Sequence, residues 1–291
     1  MRCQMPPLAA PRTDPVPPPW HELQLPGTWP DAYRLRRPSH LAALLWRVIS
    51  RRRPVQMPAE LPLAVPLPKY LQQEFHNMPN GFYSKQITEG YVKGFEAVML
   101  GHMPAARAVM AGFLAGARAV LDLGTGSGST AGFLRARGAD DVWGLDPSPY
   151  QLQHAARQQP DVRFVQGLGE QLPFPDARFD AISVCFLFHE LPPKFTRLCL
   201  RECRRVLRPG GRLAICEPSP TQLRQGYWRL FRAHGWRGPY YRYLAKRVHE
   251  PFVAAWHQLD PAAELRAAGF EPSADFEQFP SRHIHARVAN A

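Results

Sequence analysis

Between Arg118 and Pro218, short apolar runs alternate with segments of helical period, and this alternation constrains the fold more than any other feature. The runs are RAVLDL, DVWGLD, VRFVQG, FDAISVCF and GRLAICEP, and between them lie STAGFLRARG, SPYQLQHAARQQ and KFTRLCLRECRRVL. A helix between two strands carries the chain back to the edge from which it started, so successive strands run parallel. The pattern predicts an α/β chain with a doubly wound, mostly parallel sheet. Near the end, AAELRAAGFEP reads as a helix closed by Gly269, and FEQFP and HIHARV read as strands joined at Pro280-Ser281. That joint is too short for a crossover, so a C-terminal antiparallel hairpin is expected.

At 291 residues there is room for one large domain with attachments. Many of the 32 prolines precede Lys69, so residues 1–68 read as a Pro/Arg-rich extension, irregular and outside the core. The remainder, 69–291, is expected to be the domain proper. Within it, 69–104 reads as an N-terminal lid segment, and 219–260, dense in aromatic and basic residues, reads as a helical cap insertion. The net charge of +12 favours anionic partners, but no RRM-like or zinc-finger motif is present, so nucleic acid is not expected.

The cysteines, Cys3, Cys185, Cys199, Cys203 and Cys216, form no CxxC pair and have no histidine at ligand spacing. No metal site is expected, and a reduced, cytoplasmic compartment follows. Cys199 and Cys203 share a helical stripe with Phe195 and Val206 and read as small core residues. No apolar run reaches the roughly 20 residues that span a bilayer. The segment RLRRPSHLAALLWRVISRRR, residues 34–53, is an apolar helix flanked by arginines. It suits either peripheral contact with an anionic membrane or packing on its own domain. The Arg-bearing, acid-poor start leaves organellar targeting open, although few serines accompany it.

The loop LDLGTGSGST, Leu121–Thr130, follows the first strand and opens a helix, the generic arrangement for a nucleotide. No Lys-Ser/Thr follows the glycines, which excludes a Walker loop. A dinucleotide loop is mimicked loosely by Gly124, Gly126 and Ser129, with Asp146 at the ribose distance. Asp122, two residues before the first glycine, would repel a pyrophosphate and attract a cationic amino acid end. Gly124 and Gly128 could also serve strand-to-helix packing alone, and Asp146 could serve as a helix cap.

Taken with LPFPDARFDAISV and RVLRPGGRLAICEP, these motifs resemble the class I S-adenosylmethionine-dependent methyltransferases, in particular the small-molecule type 11 group. The resemblance implies a Rossmann-like fold and S-adenosylmethionine as cofactor. It implies that Gly124, Gly126 and Gly128 approach the methionine part, with Thr125 at the carboxylate or capping the helix. Asp122 would hold the amino group directly or through water, Asp146 both ribose hydroxyls, and Pro147 with Ser148 one adenine face. Gly167-Leu168-Gly169-Glu170 stands where the family has Gly-Asp-Ala-Glu, so Leu168 replaces the adenine carboxylate. In FLFHELPP, His189 matches the first of the family's paired histidines and Glu190 replaces the second. Both are candidate catalytic residues, His189 as proton acceptor; the alternative is that they only hold the loop. Tyr83, Glu217, Tyr227 and Trp228 are candidate acceptor contacts.

The implied activity is methyl transfer to a small, aromatic or lipophilic acceptor. One alternative is a non-catalytic methyltransferase-like binding protein, favoured by Leu168 and disfavoured by the intact loop and Asp146. The other is a dinucleotide-dependent oxidoreductase, against which Asp122 and the terminal hairpin speak.

Overall fold

The computed structural model describes residues 13–34, 36–49 and 53–289. The chain begins with irregular segments and three helices, α1 (Pro38–Ile49), α2 (Lys85–Val98) and α3 (Met103–Phe113). The alternating region follows: β1 (Ala119–Leu123), α4 (Ser129–Ala136), β2 (Asp141–Asp146), α5 (Pro149–Gln158), β3 (Arg163–Gln166), β4 (Phe179–Cys185), α6 (Pro193–Val206) and β5 (Leu207–Pro218). Four short helices, α7 (Thr221–Arg224), α8 (Tyr227–His234), α9 (Arg237–Arg247) and α10 (Val253–Trp256), form the insertion. The chain closes with α11 (Pro261–Ala267), β6 (Phe270–Gln278) and β7 (Ser281–Val288).

The seven strands form one sheet in the order β3-β2-β1-β4-β5-β7-β6. The first five run parallel, and β7 pairs antiparallel with both β5 and β6. Because β1 lies between β2 and β4, the winding direction reverses there. The carboxyl ends of β1, β2 and β4 therefore flank a crevice. All five residues of β1 are buried, as a central parallel strand covered on both faces requires. On α6, Thr196, Cys199, Leu200, Cys203 and Val206 are buried, so the two cysteines pack as small apolar residues.

The proline-rich segment is irregular but not separate from the core, which corrects the expectation for residues 1–68. Trp20 is 3% exposed and packs with Phe164, Leu152 and Ala155. Its indole N–H donates to the Phe164 carbonyl at 2.8 Å. Gln153 donates to the carbonyls of Trp20 and Leu23, and the Tyr150 hydroxyl donates to the carbonyl of Pro26. Asp31 accepts from Ser84 Oγ at 2.7 Å and from the Gln86 N–H at 2.9 Å, at the start of α2. An extended chain needs no periodicity to drop single side chains into grooves of a finished domain, which is why composition alone placed this segment outside. Helix α1 is a partial exception: Leu44 is buried and Arg47 pairs with Glu74, but Leu41, Leu45, Trp46 and Val48 are exposed on it.

Candidate cofactor and acceptor cleft

The loop between β1 and α4 forms one wall of a cleft at the reversal point of the sheet. Gly128 precedes α4 with φ 77°, and a Cβ there would lie 2.9 Å from the Phe164 ring and 3.0 Å from Ala155. This glycine lets α4 seat on the sheet. Gly126 also has positive φ, at 52°, but a Cβ there would meet nothing within 4 Å. Its open side belongs to the cleft, where a side chain would take up ligand space. The lining includes Gly124 to Ser127, Ser129, Thr130, Asp146 to Ser148 and Gln151.

Asp146 sits at the end of β2 and accepts from the Gly126 N–H at 3.0 Å and the Ser148 N–H at 2.8 Å. Burial pushes its carboxyl up to about 7, against these two donors, with Glu190 and Asp122 adding to the rise. A buried carboxylate in this state gains from further donors such as a pair of ribose hydroxyls. Gln151, on the first turn of α5, faces the same cleft with a buried side-chain oxygen that has no hydrogen-bond partner. It offers the acceptor that Leu168 cannot supply.

Arg107 is the lining cation. It is almost wholly buried on α3 and pairs with Glu96 at 2.6 Å. Sequence reasoning missed it, although a single arginine within the apolar stretch PAARAVMAGF was the available signal. The donors, the open Gly126 face, the orphaned acceptor on Gln151 and the buried cation together fit a nucleoside bearing an amino acid end, as S-adenosylmethionine does.

Other expected contacts lie outside the lining. Asp122 is buried behind the loop, with one oxygen accepting from Thr125 Oγ1 and the other from Ser183 Oγ, each at 2.7 Å. Burial raises its carboxyl to about 6. It ties the loop to β4 and lies outside the cleft lining. Gly167, Leu168 and Gly169 are packed beneath the cleft: a Cβ on Gly167 would meet Leu145 at 2.8 Å, and one on Gly169 would meet Cys199 at 2.8 Å. Leu168 is buried and bridges to Gln171. Glu170 does not reach round to the cleft, because the Tyr70 hydroxyl donates to both of its oxygens.

The opposite wall is aromatic and comes from residues 69–104 and the turn after β4. It includes Phe75, Phe82, Tyr83, Tyr91, Phe95 and Phe186. His76, Phe82, Tyr91, Phe95, Phe186 and His189 contact one another ring to ring in sequence along it. Tyr83 faces the cleft, and burial, with the nearby Asp146 and Glu190 carboxylates, holds its phenol far above the ordinary range.

Glu190 lines the cleft, whereas His189 does not. His189 is 1% exposed, with Nδ1 2.6 Å from Glu217 Oε2 and Nε2 3.6 Å from Glu250 Oε1. Although burial opposes the charge, these two carboxylates hold the imidazole well above its usual value. A ring with both nitrogens engaged this way is not placed to take a proton from an acceptor, which corrects the expected role. Glu217 is equally internal, since it also accepts from the backbone N–H groups of Leu187, Phe188 and His189.

The insertion places its aromatics differently from expectation. Only Leu230 of α8 is buried. Tyr227 and Trp228 face outward, with Trp228 71% exposed, and Arg242 and Lys246 lie over the Tyr227 ring. Neither Tyr227 nor Trp228 lines the cleft. The inward contributions of the insertion include Tyr241, packed on Met99 and Met103, Trp256, packed on Phe188, and Glu250.

The profile of a family described as a methyltransferase domain matches residues 121–215. A demethylmenaquinone methyltransferase of Thermotoga maritima is 41% identical over 113 residues, covering 38% of this chain and 48% of that protein. One of Beutenbergia cavernae is 33% identical over 163 residues, covering 52% of this chain and 65% of that protein. The chain thus spans about half to two thirds of the length of these curated relatives. With the strand order, the glycine loop and the carboxylate closing β2 in place, residues 121–215 of this chain carry the match to a methyltransferase domain.

Proposed function

We propose that the chain transfers a methyl group from S-adenosylmethionine to a small, flat, lipophilic acceptor of the quinone type. The observation that carries this reading is that the glycine loop with Asp146 and a continuous aromatic wall share one cleft. A planar apolar acceptor gains from such a wall by stacking and edge contacts. The relatives named for demethylmenaquinone point to the same class.

When bound, S-adenosylmethionine supplies a methyl group activated by a sulfonium. Asp146 would take the ribose hydroxyls, Gln151 the adenine edge, and Arg107 the carboxylate. Leu71, Phe75, Phe82 and Tyr83 cover the cleft and keep water out, which matters because alignment and dryness are what the protein contributes to such a displacement. Glu190 is the side chain of the aromatic wall able to accept a hydrogen bond from an acceptor hydroxyl and so fix its orientation.

The experiment is a label-transfer assay with methyl-labelled cofactor against quinols, phenols and amines, beside calorimetry with S-adenosylhomocysteine. Label on a quinol is expected. Binding of S-adenosylhomocysteine without transfer to any acceptor would favour the non-catalytic reading, and no binding would end the cofactor assignment.

A further inference from the structure

Beside the cleft, imidazoles and carboxylates from distant parts of the chain converge on one point. His76 comes from the turn Phe75–Asn77, His189 from the turn Phe188–Glu190, and Glu250 from the connection between α9 and α10. One ligand atom from each lies within 4.8 Å of the others. Glu250 Oε1 is 3.6 Å from His189 Nε2 and 3.8 Å from His76 Nε2, and Glu190 Oε1 is 2.9 Å from His76 Nε2. A four-coordinate ion with ligand bonds of about 2.0–2.1 Å keeps its ligand atoms roughly 3.3–3.4 Å apart. The two spacings from Glu250 lie a few tenths of an ångström above that value, so a small inward movement of the side chains would close them on an ion.

Three further observations distinguish this cluster from an ordinary ion-pair network. First, His76 Nε2 is buried and makes no hydrogen bond: Glu250 is too far at 3.8 Å, and Glu190, at 2.9 Å, does not complete one. Second, Glu217 grips His189 through Nδ1 from a fully buried position, which turns Nε2 toward Glu250. A carboxylate behind a histidine is the usual support of a metal-bound imidazole. Third, His76 is held at φ 56°, in the left-handed region that residues other than glycine seldom adopt. The turn is tied to the segment carrying Glu250, because His76 N–H donates to the His249 carbonyl at 3.0 Å and Asn77 Nδ2 to the Arg247 carbonyl at 2.7 Å. Strain that is held in this way aims the ring at the cluster.

We propose that His76, His189 and Glu250 bind a divalent transition-metal ion, with the fourth position left to water. Two imidazoles and one carboxylate suit Zn²⁺ and its first-row neighbours, not Mg²⁺ or Ca²⁺, which take oxygen donors. A dication also offsets the excess negative charge of Glu190, Glu217 and Glu250. Spacing could not reveal the site, because its ligands are scattered along the chain in loops. Since Glu190 lines the cleft, an ion here would stand beside an acceptor oxygen; this last consequence rests on the reading of the cleft as a methyl-transfer site, whereas the metal site does not.

The test uses the full chain, dialysed against a chelator and titrated with Zn²⁺ by calorimetry and with Co²⁺ by visible absorption. One Zn²⁺ per chain is expected, together with the intense absorption of four-coordinate Co²⁺. Glu250→Gln and His76→Ala should each weaken Zn²⁺ binding on the order of 10²-fold or more, and Glu217→Gln about 10–100-fold. His154→Gln, on α5, should change nothing. Absence of saturable binding at one ion per chain overturns the proposal, as does affinity unchanged in both ligand variants. Should those variants fail to fold, X-ray absorption of the zinc-loaded wild type decides: two imidazole ligands among four are expected, and thiolate or all-oxygen ligation overturns it. No cofactor or acceptor enters these measurements, so their failure leaves the methyl-transfer reading intact.

Discussion

His189 Nδ1 lies 2.6 Å from Glu217 Oε2, and both side chains are shut off from solvent. Glu217 closes β5 and the turn bearing His189 follows β4, so the pair fastens the carboxyl edges of two neighbouring strands. Removing one member of a buried pair leaves the other charge or donor set uncompensated, at a cost of about 3–5 kcal/mol. Glu217→Ala is therefore expected to lower unfolding free energy by that amount in urea titrations. A loss under 1 kcal/mol would show that the turn stands without it.

Glu190 presents the opposite case. It reaches the cleft and carries no strand-to-strand bond of this kind. Glu190→Gln keeps the shape and removes the charge. Turnover should fall on the order of 10²-fold, the lower end of what an acid–base or orienting group contributes. Calorimetric affinity for S-adenosylhomocysteine should stay within about twofold. Equal losses in both quantities would place Glu190 in the cofactor site.

Asp146 sets a pH dependence. Burial lifts its carboxyl from 3.8 to about 7. A carboxyl raised on folding stabilises the native state fully below its unfolded value, and that contribution is lost as pH rises through the folded value. Unbound protein should thus lose this increment between about pH 4 and 7. Donors from a bound ribose favour the ionised form, so cofactor affinity should run the other way and rise through the region near pH 7. Asp146→Asn should bind weakly with no such slope. An identical slope in the variant would assign the titration to another group.

How far this site could be read from the chain depends on whether a residue sits in a periodic element. The strands, the glycine loop and Asp146 do, because hydrophobic alternation fixes where β1 and β2 end and the loop must follow. His76 and Glu250 lie in turns with no period, and only the folded chain brings them to His189. Arg107 was visible as a lone charge on an apolar helix, but its neighbours on the cleft wall were not. The outward turn of Trp228 was hidden for a different reason. Helix α8 carries apolar residues on more than one side, so composition alone cannot say which of them Leu230 leaves exposed.

Trp20 tests whether the proline-rich segment belongs to the domain. It fills a groove beside Phe164 and donates to its carbonyl. Trp20→Ala leaves a cavity and an unpaired buried carbonyl, and should cost about 3–5 kcal/mol. Deletion of residues 1–60 should be at least as damaging, visible as a lowered melting temperature or as insoluble product. A truncated chain that melts as the full one does would show that these contacts add nothing in solution.

Helix α1 supplies the remaining test, because most of its large apolar residues, Leu44 apart, are not used by the fold. Trp46 is 67% exposed, and Leu41, Leu45 and Val48 are exposed with it. Arg36, Arg37 and Arg53 flank the helix; of residues 34–53, positions 35 and 50–52 lie outside the described residues. No helix among the described residues is long and apolar enough to cross a membrane, so any lipid contact through α1 is peripheral. An apolar face with arginines at both ends suits an anionic surface, where each basic residue adds about 1 kcal/mol near the headgroups. The full chain should sediment with vesicles containing phosphatidylserine or cardiolipin and not with neutral phosphatidylcholine vesicles. Attraction of this type weakens as the screening length shrinks from about 10 Å at 0.1 M salt to about 3 Å at 1 M, so sedimentation should fall steeply between those concentrations. Leu45→Gln with Trp46→Gln should abolish it, while S-adenosylhomocysteine affinity stays unchanged because neither residue lines the cleft. Binding that persists in the double variant would move the contact to the outward aromatics Trp228 and Trp236, with Arg229, Arg232 and Arg237 beside them in sequence. No sedimentation of the full chain at low salt would leave α1 as an exposed helix without a lipid partner.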